Sequence, residues 1–430
     1  MRKGIKWSDG KPFTTEDVIF FMDDIVNDKD VAYIWFYESN FYDAEGNFPK
    51  ITKIDDHTLE FEYDATAFLF EKKYANVVWQ ALPKHHFKTW HPKYNSKSSY
   101  EILNEKLKIL GVDSEGGRVT LNAWGVDEYV PDGKLHMTRN PYYWKVDSKG
   151  NQLPYFDEFE IIVAGDRPAV GLGNMTGEFD HDLMWTGFPH YSMWLEEQGK
   201  PQRDYSIGFS NAPGMKINFN FDAENEAARK INRNVDFRRA LSLAIDRQAI
   251  SRTLAFDLMT PIGAAWAPDS PYFDEKSGYL YSEYDPEKAK KILDDANIID
   301  RDNDGVRELP SGEKLELIWD MYAHDLYTPM SEMIVETVKE VGINLILNEK
   351  HQTLHNKNFT SGNFELSTHD FESYNEPLLM IDKWIPTKPG SPNFHVKAYE
   401  KGGFSSEYNE FTRLLKQANT TSIEEGIALG

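Results

Sequence analysis

The sequence contains no cysteine. Disulfide scaffolds, zinc–thiolate centres and thiol nucleophiles are excluded with it. Long apolar runs are also missing. The strongest, Ile161-Ile162-Val163-Ala164, falls far short of the roughly 20 residues that a membrane-spanning helix needs. Positive charge is scarce: 47 Lys and Arg stand against 70 Asp and Glu, a formal net charge of −23. A surface of that sign repels phosphate backbones and anionic headgroups, so no nucleic acid is expected as a partner. Catalytic signatures are absent too. There is no HExxH and no GxSxG, and Gly177 follows Gly171 and Gly173 one residue too late for a dinucleotide fingerprint. With so many acidic residues, carboxylate pairs arise by chance and do not indicate a glycosidase.

What is present describes a large α/β protein. At 430 residues the chain exceeds one compact core and suggests two or three domains. Thr14, with Asp17 three residues on, has the form of a capping box. Val18, Phe21, Met22 and Ile25 then follow at helical spacing. Trp7-Ser8-Asp9-Gly10-Lys11-Pro12 just before them reads as a tight turn. Alternation predicts strands at Leu59–Tyr63, Leu135–Arg139, Phe159–Val163 and Ile217–Phe221. The aromatic, aperiodic stretch 85–99 reads as loop, and a helix is expected at Ile102–Leu110. Phe237, Ala240, Leu241, Ala244 and Ile245 mark an amphipathic helix, and Pro286 behind Asp285 starts another. Leu315, Leu317 and Trp319 predict a strand. Met333, Ile334, Val338 and Val341 predict a helix, closed by Gly342. Ile343, Leu345 and Leu347 predict a second strand. Strand, helix and strand at that spacing imply a parallel crossover.

Two patterns invite a metal. His85-His86 lacks a third ligand at useful spacing and reads as surface histidines. Asp300-Arg301-Asp302-Asn303-Asp304-Gly305 fits the first half of an EF-hand loop. The twelfth position calls for Glu and holds Ser311, while Glu308 falls at the ninth. A polar turn ahead of the strand at Leu315 is the plain reading. Calcium on Asp300, Asp302 and Asp304 is the alternative.

Five segments together carry a resemblance. They are Arg2–Val18 (RKGIKWSDGKPFTTEDV), Asn140–Trp144 (NPYYW), Pro154–Phe159 (PYFDEF), Asp236–Arg247 (DFRRALSLAIDR) and Asp285–Lys290 (DPEKAK). In their order and spacing the chain resembles the bacterial extracellular solute-binding proteins of family 5, the dipeptide/oligopeptide-binding type that serves ABC importers. The resemblance implies a two-lobed type II periplasmic-binding-protein-like fold with an extra domain (class C), an α/β architecture of mixed sheets flanked by helices. It implies part of the extra domain at 1–116, a partial lobe I core at 117–215 and lobe II at 216–430. It also implies further chain at both ends: a secretion signal and first strands ahead, and a return segment to lobe I behind.

The function so implied is capture of an oligopeptide or oligosaccharide between the lobes, by hinge closure and without catalysis, and delivery to an ABC permease and its ATPase. The protein would be a periplasmic or extracellular, membrane-associated monomer without a cofactor. A secreted hydrolase and a ligand sensor without a transport role are the alternatives. Candidate ligand contacts begin with Trp185, behind the GEFD segment at 177–180, and Trp266, in a Pro/Gly-rich loop. The rest form one run: His369, Asp370, Phe371, Glu372, Ser373 and Tyr374. That run resembles the segment whose Asp, in oligopeptide binders, pairs with the peptide α-amino group. Here Ser373 takes the place of that Asp, with Glu372 or Asp370 as possible substitutes, and the Trp position is Asp370. Trp319 is left open between core and cleft.

Overall fold

A computed structural model describes residues 1–31, 41, 43, 47–65, 67, 70–71, 81–108, 119–130, 133–164, 166–181, 188–199, 214–263, 268, 270, 272–370 and 406–418. The chain divides into two compact units, chiefly Met1–Gly165 and Asp166–Ala418.

In the first unit the turn at Trp7–Pro12 is closed by Trp7 N–H donating to the Lys11 carbonyl at 2.9 Å and Gly10 N–H to that of Trp7 at 2.8 Å. The helix that follows starts as expected, with the Thr14 N–H donating to Asp17 Oδ2 at 2.9 Å. It does not stay α-helical. Thr15–Ile19 is α and Phe20–Val26 is a π-helix, with the Asn27 N–H reaching the Met22 carbonyl five residues back. The wider turn buries Phe20, Phe21, Met22, Ile25 and Val26 together, where an α-helix would spread them around more of its circumference. These side chains form a core with Phe41, Phe87, Leu103 and Leu107, the last two from the helix Tyr100–Lys108. Each such burial contributes about 1.5–3 kcal/mol.

Among the described residues of this unit are two antiparallel sheets. β1 (Lys50–Asp55) pairs with β2 (Thr58–Glu62), and β4 (Lys134–Arg139) lies between β3 (Trp124–Tyr129) and β5 (Glu158–Ile162). Asn140 ends β4 with its side chain buried, donating through Nδ2 to the Asn122 carbonyl at 3.0 Å and accepting the Tyr142 N–H at 2.8 Å. The stretch 85–99 is less irregular than expected. Lys84–Phe87 forms a short helix, and Phe87 plugs into the core.

The second unit holds the expected crossover. β7 (Glu316–Tyr322) and β8 (Asn344–Lys350) are parallel, in register from Glu316↔Asn344 to Tyr322↔Lys350, joined through the helix Tyr327–Lys339. β9 (Leu366–Asp370) runs parallel to β7, and β6 (Met215–Phe219) runs antiparallel to β9. The sheet order is β6-β9-β7-β8. The helices Val235–Leu243 and Pro286–Asp295 share the core with this sheet through Phe237, Ala240, Leu241, Ala289 and Leu293. Each is capped as its sequence dictates. Asn234 Oδ1 accepts the Asp236 N–H at 2.9 Å, and Asp285 Oδ1 accepts that of Lys288 at 2.9 Å. Trp319 is fully buried in this core, which decides its reading.

Candidate ligand-binding site

In an open α/β sheet, ligands gather outside the carboxyl ends of the parallel strands. In the second unit those ends are Asp320–Tyr322 of β7, Asn348–Lys350 of β8 and His369–Asp370 of β9. β6 begins at the same edge, with Met215 opposite Asp370 and Lys216 opposite His369. The register thus sets the two expected site residues His369 and Asp370 at the end of a central strand. The rest of that run, Phe371, Glu372, Ser373 and Tyr374, lies outside the described residues, as do Trp185 and Trp266.

What supports this edge is polar and buried. Asp320 interrupts the apolar run of β7 and is 3% exposed. It accepts a hydrogen bond from Asn348 Nδ2 at 2.8 Å and an ion pair from Lys350, both on β8. A buried carboxylate is tolerated only when its charge is paired and its lone pairs are filled, and here one neighbouring strand supplies both. On the other side of β7, His355 of the helix Gln352–Ser361 is fully buried, its Nε2 3.0 Å from the Ser367 hydroxyl of β9. Its ring lies 5.1 Å from that of Tyr322. Burial pushes the His355 imidazole below its ordinary pKa of 6.5, so at neutral pH it is uncharged. Past β7, His324 stacks on Tyr327 at 4.0 Å and accepts the N–H groups of Leu326 and Tyr327, which caps the helix.

Asp320, Lys350 and His355 escaped notice in the sequence. A carboxylate inside Leu-Ile-Trp-Asp-Met-Tyr was the available signal, since a buried strand rarely carries a charge without a cross-strand partner. Asp320 and Lys350 are spent on each other, and His355 on Ser367. Elsewhere, the two histidines read as surface groups have plain partners. His85 Nε2 lies 2.8 Å from Asp9 Oδ2, and His86 packs edge-on against Trp90.

The segments behind the sequence resemblance also explain one another in space. Asp17 takes N–H groups from Trp7, Thr14 and Lys84. The Tyr142 ring of NPYYW packs on Gly10 of WSDGKP, within 3.1 Å of where a Cβ would stand. Asp285 of DPEKAK donates its N–H to the Leu243 carbonyl of DFRRALSL at 2.8 Å.

Comparison with known proteins agrees. The periplasmic alpha-galactoside-binding protein of Rhizobium meliloti is 28% identical over 428 residues, covering 93% of this chain and 58% of that protein. The chain therefore spans little more than half the length of that relative. The oligopeptide-binding protein OppA of Bacillus subtilis is 22% identical over 438 residues, covering 99% of this chain and 74% of its own. Among solved structures, the periplasmic binding protein MelB from Agrobacterium fabrum, in complex with stachyose, shares the fold. Its TM-score is 0.73 at 23% identity, over 100% of this chain and 66% of that one. The model of the bacterial extracellular solute-binding proteins, family 5 (middle region), matches residues 1–382, and the chain belongs to that family.

Proposed function

We propose that this chain is the capturing part of an extracytoplasmic solute-binding protein of an ABC importer, and that its solute is an oligosaccharide. The observation that carries the choice of solute is Ser373. It stands where the resemblance places the carboxylate that pairs with a peptide's α-amino group, and a serine hydroxyl offers no charge-assisted hydrogen bond to an ammonium. A neutral sugar needs none. The relative from Rhizobium meliloti, named for α-galactosides, and the stachyose complex point the same way. Trp185, Trp266 and Tyr374 would offer aromatic faces for sugar rings, and Asp370 and Glu372 would accept from sugar hydroxyls.

In this reading no chemistry is asked of any residue. Solute favours one conformation because it binds that conformation more tightly, and the loaded protein, a monomer, hands it to a membrane permease with its ATPase. An oligopeptide is the second reading, with Glu372 or Asp370 as the amine partner in place of the missing carboxylate. Among the described residues no helix is long and apolar enough to cross a membrane.

Isothermal titration with stachyose and with a tetrapeptide separates the two. Saturable binding of stachyose that Trp266→Ala abolishes supports the sugar reading. Binding of the tetrapeptide alone, lost when its amino group is acetylated, replaces that reading with the peptide one. Release of hydrolysed sugar during the titration would make the protein a hydrolase and sink the proposal of binding without turnover.

A further inference from the structure

The loop 300–308, between the helix Pro286–Asp295 and β7, carries more negative charge than its fold uses. Carboxylate oxygens of Asp300, Asp302, Asp304 and Glu308 lie within 4.8 Å of one another. Part of this is ordinary turn chemistry. Asp300 Oδ2 accepts the Gly305 N–H at 3.0 Å, Asp302 Oδ1 that of Asp304 at 3.2 Å, and Asp304 Oδ1 that of Val306 at 2.9 Å. Lys314 approaches from outside, paired with Asp304 and 3.6 Å from Asp302.

The inner oxygens are different. Glu308 is 6% exposed, and only its Oε2 is used, by the Arg301 N–H at 2.6 Å. Glu308 Oε1 is buried with no hydrogen-bond partner, and so is Asp300 Oδ1. The Arg301 guanidinium does not fill the gap. It donates to the carbonyls of Glu308 and Leu309, while its nearest approach to the Glu308 carboxylate is 3.9 Å. A buried carboxylate oxygen without a hydrogen-bond partner costs a fold free energy. Both oxygens belong to residues of one acidic cluster, and together they call for a cation.

We propose that this loop is a calcium site, with Asp300, Asp302, Asp304 and Glu308 as its carboxylate ligands. The loop order matches the cation's needs. Carboxylates stand at loop positions one, three and five, and Gly305, at a φ of +90°, makes the sharp turn at position six. Position seven, Val306, is the one from which such loops offer a backbone carbonyl. The site departs from an EF-hand at its far end: Ser311 occupies the twelfth position, and Glu308, at the ninth, takes over as the closing acid. With one oxygen of Glu308 committed to Arg301, that acid offers a single ligand atom where an EF-hand acid offers two. Affinity should then resemble that of extracellular modules, with Kd of about 0.1–1 mM. Calcium is favoured over magnesium, because a flexible loop of oxygen donors suits a large cation that accepts irregular coordination. Bound there, the ion would tie the entry of β7 to the helix before it, away from the strand ends where solute is expected. Lys314 is its competitor for Asp302 and Asp304.

The test is titration of the chelator-stripped protein with calcium chloride and, separately, magnesium chloride, followed by calorimetry and by melting temperature. One calcium per chain is expected, with a rise of about 2–3 °C in melting temperature at tenfold excess over Kd, and little response to magnesium. Asp302→Asn, at a side chain that is exposed and outside the core, should weaken calcium about tenfold. Glu308→Gln should do the same. Lys314→Met should tighten calcium binding, which a purely structural lysine would not do. Absence of calcium binding to the wild-type chain overturns the proposal. So does a calcium response that survives both Asp302→Asn and Glu308→Gln.

Discussion

Asp17 and His355 show how much a single buried side chain does in this protein, and how differently the two could be read in advance. Asp17 was visible as a capping residue, because its partner Thr14 lies three positions away. Its other donors, the Trp7 indole at 3.2 Å and the Lys84 N–H at 2.9 Å, were not, because nothing local links residue 17 to residue 84. His355 gave no signal at all. A lone histidine in a polar helix reads as surface, and only the packing of that helix on β7 buries it. The burial has a consequence for pH. The folded state holds His355 below 6.5, so as pH falls the unfolded chain takes up the proton first. Its contribution to stability is therefore full above about 6.5 and declines below that value. Asp320 opposes the shift and Lys350 adds to it, and neither reverses its direction. Urea midpoints at pH 7.5 and 5.5 should fall further apart for the wild type than for His355→Gln, which keeps a hydrogen-bonding side chain beside Ser367 but cannot ionise.

At the scale of elements, legibility followed the local pattern. The crossover from β7 to β8 was plain, because the apolar period changes from two to about four and back, with Gly342 marking the join. The π-helix at Phe20–Val26 was not. Val18, Phe21, Met22 and Ile25 satisfy an α period, and the signal for the wider turn is only that Phe20 and Val26 are apolar as well. The carboxyl edge of the sheet was half legible. The run beginning at His369 was singled out, but the Asp320–Lys350 pair beneath it depends on β7 and β8 being neighbours, which no spacing reveals. A sharper test lies in the turn at Gly10. Its φ of +82° and the Tyr142 ring at 3.1 Å penalise a Cβ twice. Gly10→Ala should cost about 1–2 kcal/mol for the backbone alone, with a further loss from the displaced ring. In a Tyr142→Ala background the second loss should vanish. A double-mutant cycle by urea denaturation measures the difference, and strict additivity would mean that the ring yields without cost.

For the whole molecule the governing influence is charge. A formal charge of −23 sets carboxylates against one another within each unit, and the lysines and arginines that relieve it sit mostly in exposed, local pairs such as Lys50–Glu62 and Lys291–Asp295. Such pairs contribute little individually. Self-repulsion strains the compact state more than the expanded one, so screening should help. Raising sodium chloride from about 0.01 M to 0.15 M shortens the screening length from about 30 Å to 8 Å. The melting temperature should rise with it, in the presence of a chelator so that calcium plays no part. A falling melting temperature would show that favourable pairs outweigh the repulsion.

The touch between Tyr142 and Gly10 has one more consequence, for recombination. Two residues so far apart in the chain form a lock in which neither half is neutral without the other. A hybrid of this protein with a distant relative, joined anywhere between the two, would bring together halves shaped against different partners. Joints placed before the first segment or after the second would carry the lock over whole, so the chain can be shuffled in blocks and not at arbitrary points.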